Sequence, residues 1–141
     1  MSSSGADEAA FIHISAGLIV DGAGRVLVVR KRGTTSFMQA GGKIESGETP
    51  AQALRRELDE ELGLALAPGT PDYLGEFVAP AAHEPRRRVK AEVFFIKIDA
   101  RPAPAAEIAE IAWIAPTEAN LPLAPLTQNL LAVAQARLRA G

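Results

Sequence analysis

The sequence predicts an α+β domain, a mixed β-sheet held between helices in an α/β/α sandwich. Three observations predict it. Short runs rich in β-branched residues outnumber helical segments. Two segments, 51–62 and 127–140, consist largely of helix formers with an apolar stripe. The chain has 141 residues, 48% of them apolar, which is enough for one domain with its own core.

The elements follow in chain order. Met1 to Ala10 is rich in Ser, Ala and acids, without the basic and apolar regions of a secretion signal, and reads as a flexible terminus. The domain therefore spans 11–141. Phe11 to Val20 is an apolar, β-branched strand, Asp21-Gly22-Ala23-Gly24 is turn chemistry, and Arg25 to Arg30 is a second strand, so the three form a hairpin. Gly33 to Ser36 is another turn. Gly41-Gly42 calls for unusual backbone freedom or close packing. The clearest helix follows. Thr49 is its N-cap, Pro50 its first residue, Gln52 completes a capping box, Ala51 to Leu62 forms the body and Gly63 the stop. Tyr73 to Val78 and Val89 to Ile98 read as strands around a polar loop, Ala79 to Arg88. Asp99 to Ala106 is a stiff Pro/Ala connector. Ile108 to Ile114 is the last strand. Leu121 to Leu126 is a proline-punctuated loop, and Thr127 to Ala140 a helix with Leu130, Leu131, Ala134 and Leu138 as its apolar stripe. Phe37, Phe77 and Trp113 read as core.

Composition excludes several function classes. A net charge of −2 and a pI near 5.7 give no basic face for a nucleic-acid backbone. Without cysteine there is no disulfide, zinc–thiolate site or thiol nucleophile. No apolar run approaches the roughly 20 residues of a membrane span. The expected location is cytoplasmic.

The chemistry concentrates on the helix at 51–62. Glu57, Glu60 and Glu61 stand at i, i+3, i+4 and share one sector of its surface, beside the apolar stripe of Ala51, Leu54, Leu58 and Leu62. A solvated acidic face has the same spacing. Glu60 and Glu61, however, lie in the last turn, where the helix already carries partial negative charge and each acid costs a few tenths to about 1 kcal/mol. A divalent cation reverses that cost, and hard oxygen ligands suit Mg²⁺ or Mn²⁺.

The stretch Gly42 to Leu64, GKIESGETPAQALRRELDEELGL, resembles the Nudix box, G-x5-E-x7-R-E-U-x-E-E-x-G-U with U apolar, at every fixed position. Those positions are Gly42, Glu48, Arg56, Glu57, Leu58, Glu60, Glu61, Gly63 and Leu64. The GGKIESGET wording is similar to the MutT-like branch. The resemblance implies a Nudix fold, a mixed sheet flanked by the box helix and a C-terminal helix. It implies a metal-dependent pyrophosphohydrolase in which water attacks one phosphorus of a nucleoside diphosphate linked to another group. A (d)NTP giving a nucleoside monophosphate and pyrophosphate is the expected substrate. ADP-ribose, dinucleotides, nucleotide sugars and a non-catalytic nucleotide sensor are the alternatives. It further implies Glu57, Glu60 and Glu61 as metal ligands, with Gly42 letting the loop approach them. Glu57 or a more distant glutamate would orient or deprotonate the water. Arg56 would hold the carboxylates, with Glu48 supporting it or the metal.

Outside the box, MutT-like enzymes take a further carboxylate from a loop shortly before the last strand. Glu107 is the expected one, as a catalytic residue and metal ligand, with Glu92 as rival and Glu110 as a solvent-facing strand residue. Arg30, Lys31 and Arg32, and Arg86 to Arg88, are cationic runs within conceivable reach of phosphates. Arg30, Arg32 and Lys43 are the expected substrate contacts. His13 and His83 carry no assigned role. Two departures from MutT-like sequences stand out. Ala40 replaces the usual proline before Gly41. No asparagine lies within Leu121 to Leu126, where such an enzyme reads an oxidised guanine, although Asn120 and Asn129 flank that segment. Preference for oxidised dGTP is therefore not expected. The expected partner is a nucleotide-type small molecule, not nucleic acid or a membrane, and the chain is expected as monomer or homodimer.

Overall fold

The computed structural model describes residues 11–67, 69, 71–82, 84, 86–117 and 120–140. The expected flexible start, Met1 to Ala10, and His83 lie outside the described residues. Six strands form one sheet: β1 (Phe11–Val20), β2 (Val26–Lys31), β3 (Ala40–Lys43), β4 (Asp72–Pro80), β5 (Arg88–Lys97) and β6 (Ile108–Ile114). Two helices, α1 (Pro50–Leu62) and α2 (Pro125–Ala140), cover its faces. None is long and apolar enough to cross a membrane.

The sheet order is β4-β5-β1-β2-β6, with β3 beside β1. β1 runs parallel to β5 along its whole length, and every other pairing is antiparallel. One edge of β1 serves two partners in turn. Ile14 to Gly17 pairs with β3, and only Val20 pairs with β2. The predicted hairpin therefore exists, closed by an Asp21 side chain that accepts the Ala23 and Arg25 N–H groups.

Side chains alternate across β1 into two cores. Ala16, Leu18 and Val20 meet Leu126, Leu130, Leu131 and Ala134 of α2. Ile19 meets Leu54, Leu58 and Leu62 of α1, together with Phe94, Ile96 and Ile108. Each buried leucine contributes about 1.5–3 kcal/mol. Phe37 is core, while Phe77 and Trp113 are half-buried against it.

The structure differs from the sequence reading in three places. β3 is a strand where only glycine-driven close packing was expected. Leu138, read as part of the apolar stripe of α2, is 39% exposed. It lies at the β1–β2 turn, close to Gly24, beside an open depression that Val20 and Phe95 also line. The helix also begins earlier, at Pro125, where proline suits a first helical position.

Candidate active site

α1 is set in place by its ends. Thr49 accepts the Gln52 N–H at 3.1 Å, and Gln52 accepts the Thr49 N–H at 2.9 Å, which completes the capping box. Gly63 closes the helix in the left-handed region, at φ 65°. The helix has no acid in its first turn and no base in its last. Its acids therefore stand against the macrodipole, as the sequence indicated.

The three box glutamates occupy three environments. Glu60 is exposed, Glu57 is nearly covered, and Glu61 is 2% exposed, inside the buried stripe beside Leu58 and Leu62. Glu61 Oε1 has only a long contact, 3.4 Å, to the Gly41 N–H. Its Oε2 is buried and has no hydrogen-bond partner. Desolvation pushes this carboxyl up to about 8, with repulsion from Glu57 second; the Gly41 N–H and Lys31 pull the other way.

β3 brings the backbone onto these acids. Gly41 sits at φ 133°, and a Cβ there would strike Ser15 O at 2.1 Å. A Cβ on Gly42 would stand 2.6 Å from the Glu57 carboxyl carbon. Two glycines are thus required, one for the strand pairing and one for the carboxylate.

Arg56 joins the remaining acids. Its Nε and Nη2 grip Glu48 at 2.7 and 3.0 Å, and its Nη1 reaches Glu57 at 2.9 Å and Glu60 at 3.4 Å. Nη2 also donates to the Lys43 carbonyl at 3.1 Å, tying α1 to β3. The guanidinium holds Glu48 down to about 2, and these carboxylates in turn raise Arg56 above its ordinary value.

A loop closes the far side of Glu61. The Ala103 and Ala105 N–H groups donate to Leu62 O and Glu61 O, at 3.1 and 2.9 Å, and so satisfy two terminal carbonyls of α1. Glu107 follows, just before β6, close enough to raise the Glu61 carboxyl. Lys31 lies 3.6 Å from Glu107. Glu92 is elsewhere, bonded to Tyr73 at 2.5 Å and His13 at 2.8 Å, in a cluster with Glu76. Glu110 pairs with Arg30.

The cationic candidates separate in the same way. Arg30 is engaged by Glu110 and the Thr34 carbonyl, on the side of β2 away from the carboxylates. Arg32 is exposed, with a 3.3 Å contact to the Ala106 carbonyl. Arg87 pairs with Glu84, and Arg88 lies over Phe11. Lys31 and Lys43 instead line a cavity of about 160 Å³ beside Gly41 and Gly42. Ile12, Ile14, Val89 and Leu126 form its apolar wall, and Gln39 and Glu84 add polar groups. Sequence reasoning selected Arg30 over Lys31. Strand alternation sends them to opposite faces, a signal that only the sheet's placement can resolve. A larger open depression, about 490 Å³, is lined by Asp21, Arg25, Asp99 and Trp113 among others and contains none of these groups.

The donors fit a divalent cation. The orphaned oxygen of Glu61, with Glu57 and Glu107 close enough to raise its carboxyl, offers hard ligands, and Gly42 leaves the space beside Glu57 open; among the described residues, the three donors already within 4.8 Å of one another are His13, Glu76 and Glu92.

The family model for the NUDIX domain matches residues 12–134. An 8-oxo-dGTP diphosphatase of Proteus vulgaris is 35% identical over 91 residues, covering 60% of this chain and 75% of that protein. One of Haemophilus influenzae is 40% identical over 57 residues, 38% of this chain, and the match spans only 42% of that relative's length. Among solved structures, a MutT NUDIX hydrolase from Burkholderia pseudomallei superposes with a TM-score of 0.74 at 23% identity, over 86% of this chain and 96% of that one, which shows the fold. This chain belongs to the Nudix family of hydrolases, in its MutT-like branch.

Proposed function

We propose that this protein hydrolyses a phosphoric anhydride bond of a nucleoside triphosphate, releasing a nucleoside monophosphate and pyrophosphate. The observation that carries the reading is Glu61. A buried acid with an oxygen lacking any donor costs the fold on the order of 1–3 kcal/mol, a cost that makes sense where a cation completes the group.

Glu57, Glu60, Glu61 and Glu107, with the backbone at Gly42, would hold Mg²⁺ or Mn²⁺. The bound metal supplies a more acidic water and neutralises charge on the phosphates and leaving group. The rest of the work falls to the chain. Glu57 or Glu107 accepts the proton of the attacking water. Arg56 holds Glu48, Glu57 and Glu60 in register. Lys31 and Lys43, which line the cavity, meet the phosphate oxygens. The apolar wall takes the base. A cavity of about 160 Å³ suits one ring system and is small beside the few hundred Å³ of a drug-sized site, which favours a mononucleotide over a dinucleotide.

A panel of dNTPs, 8-oxo-dGTP, ADP-ribose, dinucleoside polyphosphates and nucleotide sugars, with product identification under Mg²⁺, tests the reading. Fastest turnover on a nucleoside triphosphate, giving pyrophosphate, supports it. Tight binding without hydrolysis across the panel would instead make the protein a sensor.

A further inference from the structure

Gln39 precedes β3, and strand alternation sets it on the α2 face of the sheet. Phe37 packs into the core on that face, whereas Met38 and Ala40 pack into the core on the other. On the α2 face Gln39 lines the cavity beside Gly41 and Lys43. Its partner is Thr127, in the first turn of α2 and 1% exposed. Thr127 Oγ1 accepts the Gln39 backbone N–H at 3.1 Å and donates to Gln39 Oε1 at 2.7 Å. A hydroxyl has one proton to give. With that proton on Oε1, the oxygen end of the amide is held against α2, and the NH₂ end is left for the cavity.

We propose that Gln39, oriented by Thr127, reads the nucleobase and selects bases bearing a ring carbonyl (guanine, cytosine, uracil or thymine) over adenine. The inference rests on the nucleoside triphosphate reading above. A freely turning Gln amide recognises adenine with both ends, donating to N7 and accepting from the exocyclic amine. Here Thr127 holds the accepting end against α2, so that the amide presents its NH₂ donors to the cavity. Those donors match a ring carbonyl oxygen, whereas adenine has none and sets its own N6 donor beside the N7 acceptor of that edge. The asparagines flanking Leu121 to Leu126 do not compete for this role, because neither Asn120 nor Asn129 lines the cavity.

Steady-state kinetics on dGTP, dCTP, dTTP and dATP with Mg²⁺ test this in the wild type and in Gln39→Leu, Thr127→Val and Thr127→Ser. The wild type is expected to show kcat/KM for dATP at least about tenfold below its best substrate. Gln39→Leu should bring the four within about threefold, through a higher KM on the carbonyl-bearing bases. Thr127→Val frees the amide to turn and should erase the preference in the same way, while Thr127→Ser, which keeps the hydroxyl, should retain it. Gln39→Met, of similar length, repeats the test if the leucine variant does not fold by circular dichroism. A wild type that favours dATP, or variants that lower all four substrates by one common factor, would overturn the proposal and leave the hydrolase reading intact. A wild type that turns over none of the four would overturn both.

Discussion

Glu61 carries a carboxylate where solvent does not reach it, and one of its oxygens finds no donor. Its carboxyl, at about 8 against an ordinary 4.5, favours the protonated form of the metal-free fold. The sign follows. This contribution to stability is complete below about pH 4.5 and is lost as pH rises through about 8. A divalent cation competes with that proton. Near pH 7, metal binding should release about one proton per protein, measurable by calorimetry in buffers of different ionisation enthalpy. Equal heats in all buffers would contradict it. Arg56 makes the opposite case. Its pairing holds Glu48 at about 2, so that contribution is present above about pH 4.5 and lost as pH falls through 2. Arg56→Lys cannot keep the forked grip on Glu48 together with the contacts to Glu57 and Lys43. It should move acid unfolding to higher pH and lower metal affinity by about 10–100-fold. An unchanged acid midpoint would count against the pairing as described.

At the scale of elements, β3 against α1 decides whether the site exists. Gly42→Ala places a Cβ into the Glu57 carboxylate. The carboxylate can swing away, so the expected result is near-normal thermal stability with metal affinity reduced about tenfold or more. Gly41→Ala meets backbone, Ser15 O, at a φ that L-residues rarely adopt, and should destabilise by about 3 kcal/mol or more. Thermal melts of the two variants should therefore diverge. Similar melting points would show that the two glycines do not do separate jobs. The sequence made α1 legible because its signals are local: Thr49, Pro50, Gln52 and Gly63 each act within a turn of the helix. β3 was not legible for the opposite reason. Ala40-Gly41-Gly42-Lys43 has no β-branched residue, and pairing with Ile14 to Gly17, about 26 residues earlier in the chain, makes it a strand.

For the whole molecule, the candidate site draws on parts far apart in sequence. The box supplies α1 and β3, β2 supplies Lys31, and the 101–107 loop brings Glu107 to Glu61 by capping the end of α1. The loop before β6 that carries Glu107 reaches α1. Glu92 lies on the same sheet face as Ser15 but is engaged by His13 and Tyr73. The parallel β1–β5 pairing and the cavity's lining were beyond sequence reasoning. Both depend on which strands become neighbours, which no local pattern encodes. Because the cation would join α1 to the loop before β6, saturating Mg²⁺ or Mn²⁺ should raise the melting temperature by several degrees, as about 2–3 kcal/mol of binding linkage does for a domain of this size. The rise should be larger at pH 8 than at pH 6, since fewer protons compete at Glu61. A rise that does not depend on pH would place the metal elsewhere.

The most direct test of the account is product identification for dNTP hydrolysis by the wild type, Glu57→Gln and Glu61→Gln. The wild type should release nucleoside monophosphate and pyrophosphate in a Mg²⁺-dependent reaction. Both variants should retain the fold by circular dichroism and lose at least about 100-fold in kcat/KM. Variants that turn over at the wild-type rate, or a wild type that yields nucleoside diphosphate and orthophosphate, would contradict it.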